Sequence, residues 1–382
     1  MPAFSANESN LKFLSLHTGI RVLKEIVAPS EERKRCPNGV FEGAGHRSVI
    51  ATLMNVRRLL FVILLFALLS PTPSFLFTAQ AEPIRLAYSS ISGAMASLWV
   101  AQDYGYFRRQ GLDVQLLYIG GGSVVTQALI GGDVQFVRLG ANAVVQASLR
   151  GANLKMIANT INTLVFSLMA RPEIQTAKDL KGKKIGLTRL GGSTDFALDL
   201  ALKKWGLRRG SDVAVIQTGG MPQLLGAITG GIVDAGVVSP PTNLSAAKLG
   251  LKELVDFGEI GIVYPNSPLA TSQLFLEKNR STTLRILRAY CEGIHRVKTD
   301  KDGTMKVLAR YTKVSDMEIL AELYRIYGVK YLEPIPRVRL DAVDEVLRSE
   351  VKTGAGVKGS DFVDNSLVAE LEQQGLFQTL YR

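Results

Sequence analysis

From Ile84 onward, short runs with alternating apolar and polar residues are separated by longer stretches with apolar residues at helical spacing. Strand followed by helix, repeated along a chain, is typical of a largely parallel α/β sheet. From Ser281 to the end, the helical spacing continues without further strands. The predicted strands are 84–88, 111–118, 134–139, 154–159, 163–171, 184–187, 213–218, 233–238, 254–257 and 272–276, and the predicted helices are 96–102, 124–130, 143–150, 191–205, 282–298, 302–311, 316–327, 341–353 and 366–374.

One glycine-rich pattern occurs twice. The stretch 119–136 predicts a strand end, a turn at Gly120–Gly122, a short helix, a second turn and a new strand. The stretch 219–236 repeats this pattern 99 residues later. Two such units predict two lobes of similar build. Neither is a phosphate-binding P-loop or a dinucleotide fingerprint, because the Gly-Lys-Ser/Thr ending and the glycine spacing are missing.

Residues 54–81 have the pattern of a secretory signal. Arg57 and Arg58 are followed by an apolar run of 11 residues and by small residues before Glu82, so we expect cleavage after Ala81 and export to the periplasm. An uncleaved membrane anchor is the alternative. Because such signals begin a chain, we expect Met54 to be the true start and 1–53 to be a spurious or disordered extension; a genuine cytoplasmic tail is the alternative.

The formal net charge of +11 falls to +7 once the +2 of residues 1–53 and the +2 of residues 54–81 are subtracted. The remaining basic residues are scattered and lack interleaved aromatic residues, which argues against a nucleic-acid partner. A mild positive field that attracts small anions fits this distribution better.

Few residues after the signal could carry out covalent chemistry. Cys291 and His295 are the single cysteine and histidine there, so neither a metal cluster nor a Cys/His nucleophile is expected. Asp195 and Asp199 are interpreted as a helix cap and a solvated charge, and a carboxylate pair on one helix face is the alternative. Arg138 and Arg189 could bind a carboxylate, sulfonate or phosphate, and a structural ion pair or solvent exposure is the alternative for each.

Several segments together resemble one protein family. These are Gly105-Tyr106-Phe107 with 111–114, Gly120–Ser123, 132–134, 179–186, and Gly231 with Asp234-Ala235. They are similar to segments of solute-binding proteins of ABC transporters, of the nitrate/sulfonate/taurine-binding or NMT1/THI5-like type. The resemblance extends from about Pro83 to Arg280.

The resemblance implies an α/β type II periplasmic-binding-protein fold, with two mostly parallel sheets in two lobes and two crossover strands near Val165–Ala170 and Ala270–Phe275. Lobe 1 would then comprise 83–167 plus 273–382, and lobe 2 would comprise 168–272. It also implies binding of a small solute, here expected to be an organic anion, by a monomer that meets an ABC permease in the inner membrane. No cofactor, metal or catalytic residue is expected.

In such proteins the solute lies among the loops that follow the strands. The corresponding residues here are small, hydroxylated or basic: Ser89, Ser90, Gly122, Ser123, Gly140, Asn142, Arg189, Ser193, Thr194, Gly220 and Ser239. A thiamine-pyrimidine synthase of the THI5 type and a sensory receptor without transport are the alternatives. The enzyme's cysteine- and histidine-rich motif has no counterpart in this chain.

Overall fold

The computed structural model describes residues 83–350 and 356–382. The predicted signal at 54–81 and the predicted extension at 1–53 lie outside the described residues. Within the described ranges, no helix is both long enough and apolar enough to cross a membrane.

The first sheet has five strands in the order β2-β1-β3-β10-β4. Strands β1 to β4 run in one direction, and β10 pairs antiparallel between β3 and β4. Central β3 is buried along its whole length, whereas most of edge strand β2 is exposed or half-buried. The strands are β1 (Ile84–Tyr88), β2 (Val114–Tyr118), β3 (Phe136–Arg138), β4 (Leu154–Ala158) and β10 (Leu269–Ser272).

The second sheet repeats this topology in the order β7-β6-β8-β5-β9. Its antiparallel strand, β5, again lies between two strands that run the other way. The prediction of two mostly parallel sheets in a two-lobed α/β fold is therefore confirmed. The strands are β5 (Ser167–Ala170), β6 (Lys184–Leu187), β7 (Ala214–Gln217), β8 (Ala235–Val238) and β9 (Lys252–Asp256).

Two segments connect the sheets, 159–166 between β4 and β5 and 257–268 between β9 and β10. They run antiparallel: Thr163 bridges Val263, the Tyr264 amide donates to Asn162 O, and the Asn266 amide donates to Ile161 O. The predicted crossover strands near Val165–Ala170 and Ala270–Phe275 overlap β5 and β10, the antiparallel strands that the two connecting segments lead into.

Helices cover both sheets, and their bounds follow the sequence pattern closely. One prediction is wrong: the expected extended return at 272–276 is a helix from Gln273, whose start Ser272 caps by accepting from the Phe275 amide at 3.2 Å. The helices are α1 (Ala96–Asp103), α2 (Tyr106–Arg109), α3 (Gly122–Ile130), α4 (Ala141–Leu149), α5 (Ser193–Trp205), α6 (Met221–Thr229), α7 (Thr242–Lys248), α8 (Gln273–Lys278), α9 (Arg280–Thr299), α10 (Lys301–Thr312), α11 (Met317–Tyr324), α12 (Leu340–Glu350), α13 (Ser366–Gln373) and α14 (Leu376–Leu380).

The C-terminal helices belong to the body of the first sheet. Helix α9 packs along α1, and its Tyr290, Ile294 and Val297 are buried in an apolar cluster with Trp99 and Leu98 of α1. This cluster covers one face of the first sheet. The helical last third of the sequence therefore braces the first lobe.

The glycine-rich repeat is confirmed. Helices α3 and α6 both have nine residues, start 99 positions apart and follow a glycine N-cap. Both end in a Gly-Gly pair whose second member, Gly132 or Gly231, has positive φ. The same local sequence thus builds the same βα unit in each lobe.

Candidate functional site: a polar cavity between the two sheets

A small cavity lies where the carboxyl ends of strands from both sheets meet. Its volume is about 30 Å³, and one water needs roughly 10–15 Å³ on the same measure. Ligands of open α/β sheets bind at this edge. The lining residues are Ser89, Ser90, Ser92, Ala94, Met95, Gly121, Gly122, Gly140, Phe166, Thr188, Ser193, Thr194, Met221, Ser239, Asn266 and Ser267.

Four α-helices that have a glycine N-cap begin at this cavity. Gly122, Ser193 and Met221 are the first residues of α3, α5 and α6, and Gly140 is the N-cap of α4. Each helix start carries backbone N–H groups that have no partner within the helix and a partial positive charge of about half a proton. Two of these helices come from each lobe, so the cavity concentrates positive potential from both.

Hydroxyl groups supply most of the polar side chains in the lining. The hydroxyl oxygens of Ser90 and Ser239 are buried and have no hydrogen-bond partner among the described residues. The Thr194 hydroxyl is different, since it accepts from the Thr188 amide at 3.2 Å. Within the described residues, the lining contains no charged side chain.

The two lobes touch at the rim of the cavity. Asn142 of α4 donates its Nδ2 to Gly191 O of the second lobe at 3.0 Å. Tyr264, on the second connecting segment, has its hydroxyl 2.7 Å from Asn142 Oδ1 and 3.2 Å from Ser193 Oγ. Its ring stacks on Phe196 of α5, with centroids 5.1 Å apart. One buried tyrosine therefore joins the starts of α4 and α5.

Ion pairs join the lobes farther from the cavity. Lys248 of α7 lies 2.5 Å from Asp316 and 2.9 Å from Glu318, both at the start of α11. Lys330 of the first lobe lies 2.6 Å from Glu259 of the second connecting segment. These exposed pairs contribute modestly and are weakened by salt.

Seven of the eleven residues predicted to bind the solute line the cavity: Ser89, Ser90, Gly122, Gly140, Ser193, Thr194 and Ser239. The structure places the other four beside it. Asn142 makes the contact between lobes described above, and Ser123 lines a neighbouring groove between α3 and α4. Arg189 lies against Gly121, and Gly220 lies against the Tyr118 hydroxyl.

Other lining residues were not among the predicted ones. Ser92 and Thr188 lie in the loops that follow the predicted strands 84–88 and 184–187, so their position in the sequence was a signal for them. Asn266 and Ser267 lie in the second connecting segment. No local pattern identifies them, because their place at the cavity depends on the crossover between sheets.

Comparisons with known proteins show the family and the fold of the chain. The family model described as NMT1/THI5 like matches residues 93–302, more than half of the 382-residue chain. The chain belongs to the NMT1/THI5-like family. The resemblance seen in the sequence is thereby confirmed. No curated protein sequence matches the chain significantly.

Solved structures share the fold of this NMT1/THI5-like protein. A protein of Bordetella bronchiseptica RB50 has 22% identity and a TM-score of 0.70, over 76% of this chain and 97% of that one. The alkanesulfonate-binding protein SsuA from Xanthomonas axonopodis pv. citri, bound to MOPS, has 18% identity and a TM-score of 0.60, over 75% and 96%. The periplasmic nitrate-binding protein NrtA from Synechocystis PCC 6803 has 14% identity and a TM-score of 0.63, over 76% and 88%.

Arg138 of this NMT1/THI5-like protein is fully buried and does not line the cavity. Its guanidinium donates to the Tyr290 hydroxyl, lies 4.9 Å from the Tyr290 ring centroid and reaches Thr160 Oγ1 at 3.5 Å. Burial lowers the pKa of Arg138, and no acidic partner pairs with it among the described residues. The side chain ties β3 to α9 and to the first connecting segment.

The remaining titratable candidates lie away from the cavity. Asp195 lies in the first turn of α5 and accepts from the Gly191 amide, which precedes the helix, at 2.7 Å; Arg209 pairs with both Asp195 and Asp199 at 2.5 Å. Cys291 is buried in α9, and burial raises the pKa of its thiol. In the described part of the chain, no cluster of His, Cys, Asp and Glu side chains could hold a metal ion.

Proposed function

We propose that the chain is an extracytoplasmic solute-binding receptor of an ABC importer, and that it binds a small sulfonate- or carboxylate-like organic anion between its lobes. The observation that carries this proposal is the cavity itself. Four helix starts and two unpaired buried hydroxyls meet there, without a charged side chain in the described lining. The positive ends of helices and free hydroxyl donors favour an anion with several acceptor oxygens.

The lining also has an apolar side, made by Met95, Phe166 and Met221. An anion with an organic body would place its oxygens at the helix starts and its carbons against these side chains. The SsuA of Xanthomonas axonopodis pv. citri, bound to MOPS, is a neighbour of the same fold. MOPS combines a sulfonate with an organic body, which supports an organic anion over a purely inorganic one.

Binding requires the lobes to separate first, because a cavity of about 30 Å³ is too small for such a solute. The connecting segments 159–166 and 257–268 are where a hinge would act. We therefore place lobe 1 at 83–158 plus 269–382 and lobe 2 at 167–256, with the strands as the guide. Closure of the lobes over the solute would give a permease a surface that differs from the open form.

The cavity is suited to binding without chemical change. Its side chains in the described residues are hydroxyls, one amide, two thioethers and a phenyl ring, besides alanine and glycine. A proton-transfer step needs a side chain with a pKa near the working pH, and these groups do not supply one. The lining therefore supports a receptor over a pyrimidine synthase.

Titration calorimetry tests the class of solute. The panel should contain MOPS, ethanesulfonate, acetate and nitrate, with a quaternary ammonium ion and a neutral heterocycle as controls. We expect the organic anions to bind and the two controls to give no heat of binding. Binding of the cation or the heterocycle alone would refute the assignment of charge.

Two further measurements test location and role. N-terminal sequencing of the exported protein should find a chain that begins after Ala81, and a chain that begins before Met54 would contradict export by the signal at 54–81. Adjacent genes for a permease and an ATPase would support import, whereas an adjacent histidine kinase would favour sensing. We expect a monomer by light scattering.

A further inference from the structure

The two copies of the glycine turn face each other across the mouth of the cavity. Gly120 and Gly121 belong to the first lobe, and Gly219 and Gly220 belong to the second. A Cβ at Gly120 would lie 2.9 Å from the carbonyl oxygen of Gly219, closer than real Cβ atoms approach a backbone. The main chains therefore meet so closely that a side chain at Gly120 cannot be accommodated without a backbone shift.

Each turn also receives a side chain from the opposite lobe. Arg189 follows β6 of the second lobe and lies on Gly121, where an added Cβ would overlap its Cγ and lie 2.8 Å from its Cβ. Tyr118 ends β2 of the first lobe, and its hydroxyl would lie 2.5 Å from a Cβ at Gly220. The contact is thus reciprocal.

Arg189 has no anion to bind at this position in the described residues. Its Nε is buried and has no hydrogen-bond partner there, and its Nη2 would lie 3.7 Å from a Cβ at Gly219. Burial raises the pKa of the Tyr118 hydroxyl, and the nearby charge of Arg189 partly offsets this. The guanidinium therefore packs between the turns instead of entering the cavity.

We infer that these six residues, Gly120, Gly121, Gly219, Gly220, Tyr118 and Arg189, form a clasp that holds the lobes closed and sets the rate of solute release. The glycines are required for the approach of the lobes, and Tyr118 and Arg189 are positioning residues that seal the mouth of the cavity. This inference rests on the proposed receptor function for its role in release. The clasp itself requires only that the lobes open and close.

Gly120→Ala is the sharpest test, because Gly120 has no positive φ and the backbone atom in the way of an added Cβ is Gly219 O of the opposite lobe, at 2.9 Å. The Tyr118 hydroxyl of the same lobe would lie 3.2 Å away, and as the end of a side chain it can shift. The variant should fold normally in the open form and fail to close. Arg189→Ala is the second variant, since it removes the wedge without adding bulk. Gly226→Ala is the matched control, because Gly226 lies in α6 and an added Cβ there meets no atom within 4 Å.

Single-molecule energy transfer measures closure directly. Dyes can be attached at Arg108→Cys in the first lobe and Lys204→Cys in the second, both exposed, in a Cys36→Ser background. Buried Cys291 should stay unlabelled. We expect the closed population of Gly120→Ala, with and without saturating MOPS, to be about tenfold below that of the wild type and of Gly226→Ala.

Stopped-flow measurements with MOPS then give the two rate constants. We expect Gly120→Ala and Arg189→Ala to raise the dissociation rate about tenfold and to leave the association rate within about twofold. Equal closed populations in Gly120→Ala and wild type would overturn the clasp. A loss of affinity that arises only from a lower association rate would also overturn it.

The outcomes also separate this inference from the proposed function. A wild-type chain that closes but does not bind MOPS or any other anion of the panel would refute the proposed ligand class, and the closed populations of the variants would still test the clasp. A wild-type chain that never reaches the closed distance would overturn the clasp together with the closure mechanism.

Discussion

Single hydroxyl groups decide how polar the cavity is. Ser239 is 1% exposed, and its oxygen has no partner among the described residues. Ser97 is equally buried and also unpaired there, but it lies in α1 and does not line the cavity. Burying an unpaired hydroxyl costs stability. At Ser97 no ligand can offset that cost, whereas at Ser239 a solute oxygen can.

Replacing Ser239 by Ala should therefore weaken solute binding and leave the fold intact. We expect MOPS affinity to fall about fivefold, since one hydrogen bond contributes roughly 1 kcal/mol. The free energy of unfolding without ligand should stay equal or rise by up to about 1 kcal/mol, because an unpaired buried oxygen is removed. Calorimetry and urea denaturation measure the two quantities.

Ser97→Ala is the matched control for this substitution. It should change the unfolding free energy in the same direction and leave MOPS affinity unchanged. A similar loss of affinity in both variants would mean that the Ser239 hydroxyl supports the fold and does not contact the solute.

The repeated helices α3 and α6 illustrate how local sequence determines an element. Glycines at their ends supply the backbone conformations that start and stop each helix. Gly226 differs, because it lies in the exposed interior of α6 with helical neighbours on both sides. Nothing in the described structure requires glycine there, and glycine weakens a helix interior.

Gly226→Ala should raise the free energy of unfolding by about 0.5–1 kcal/mol, the difference in helix propensity between the two residues. Gly206→Ala should do the opposite. Gly206 ends α5 with φ of 68°, a conformation that costs a residue with Cβ about 1–2 kcal/mol. Urea denaturation measures the free energy of unfolding of both variants. A lower free energy of unfolding in Gly226→Ala would contradict the view that position 226 is an ordinary helix interior.

The role of the connecting segments depends on the residues that they contact. Tyr264→Phe removes the hydroxyl that lies between Asn142 and Ser193. We expect MOPS to bind about fivefold more weakly, because the buried hydroxyl that links the starts of α4 and α5 across the lobes is lost. Burial raises the pKa of this hydroxyl, so it stays protonated and the effect should be the same from pH 6 to pH 9. An effect that vanishes within this range would contradict the role of the hydroxyl as a donor.

At the scale of the whole molecule, two sheets of one topology close on each other. Glu350 at the end of α12 accepts from Gln146 Nε2 at 3.0 Å, and the carboxylates of Asp195 and Asp199 approach it from the second lobe. Burial raises the pKa of Glu350, and the charges of Asp199 and Asp195 raise it further, while the Gln146 contact and the charge of Arg150 oppose the shift. Arg209, paired with both aspartates, partly neutralises the cluster.

Because Asp195 and Asp199 belong to the second lobe, the rise that their charges cause in the pKa of Glu350 depends on closure, and protonation of Glu350 therefore favours the closed form. Closure should therefore strengthen as the pH falls through the raised pKa of Glu350 and weaken as the pH rises towards neutrality. Glu350→Gln keeps the acceptor for Gln146 and removes the charge. We expect it to bind ethanesulfonate about threefold more tightly at pH 7 and to lose this pH dependence. Calorimetry between pH 5 and 8 measures both, and an unchanged pH profile would contradict the prediction.

Much of the fold was predictable from the chain because its elements are locally encoded. Residues 184–187 and the end of α5 at Trp205 follow directly from apolar spacing and from a closing glycine. The start of α8 was not predicted, because Ser272 ends a strand and caps a helix at the same position. Seven predicted site residues line the cavity since strand-end loops collect at one edge of a parallel sheet.

The amino-acid sequence by itself determined the family, the two α/β lobes and the small polar residues at the strand ends, because these depend on local spacing and on motifs within short segments. Only the tertiary structure decided which of those residues face the cavity and that Asn266 and Ser267 join them. It also decided that Arg138 of β3 is buried against α9 and that Arg189 packs on the opposite lobe. These positions depend on how two separate sheets meet across their crossovers, and contacts between residues more than 60 positions apart leave no periodic trace in the chain.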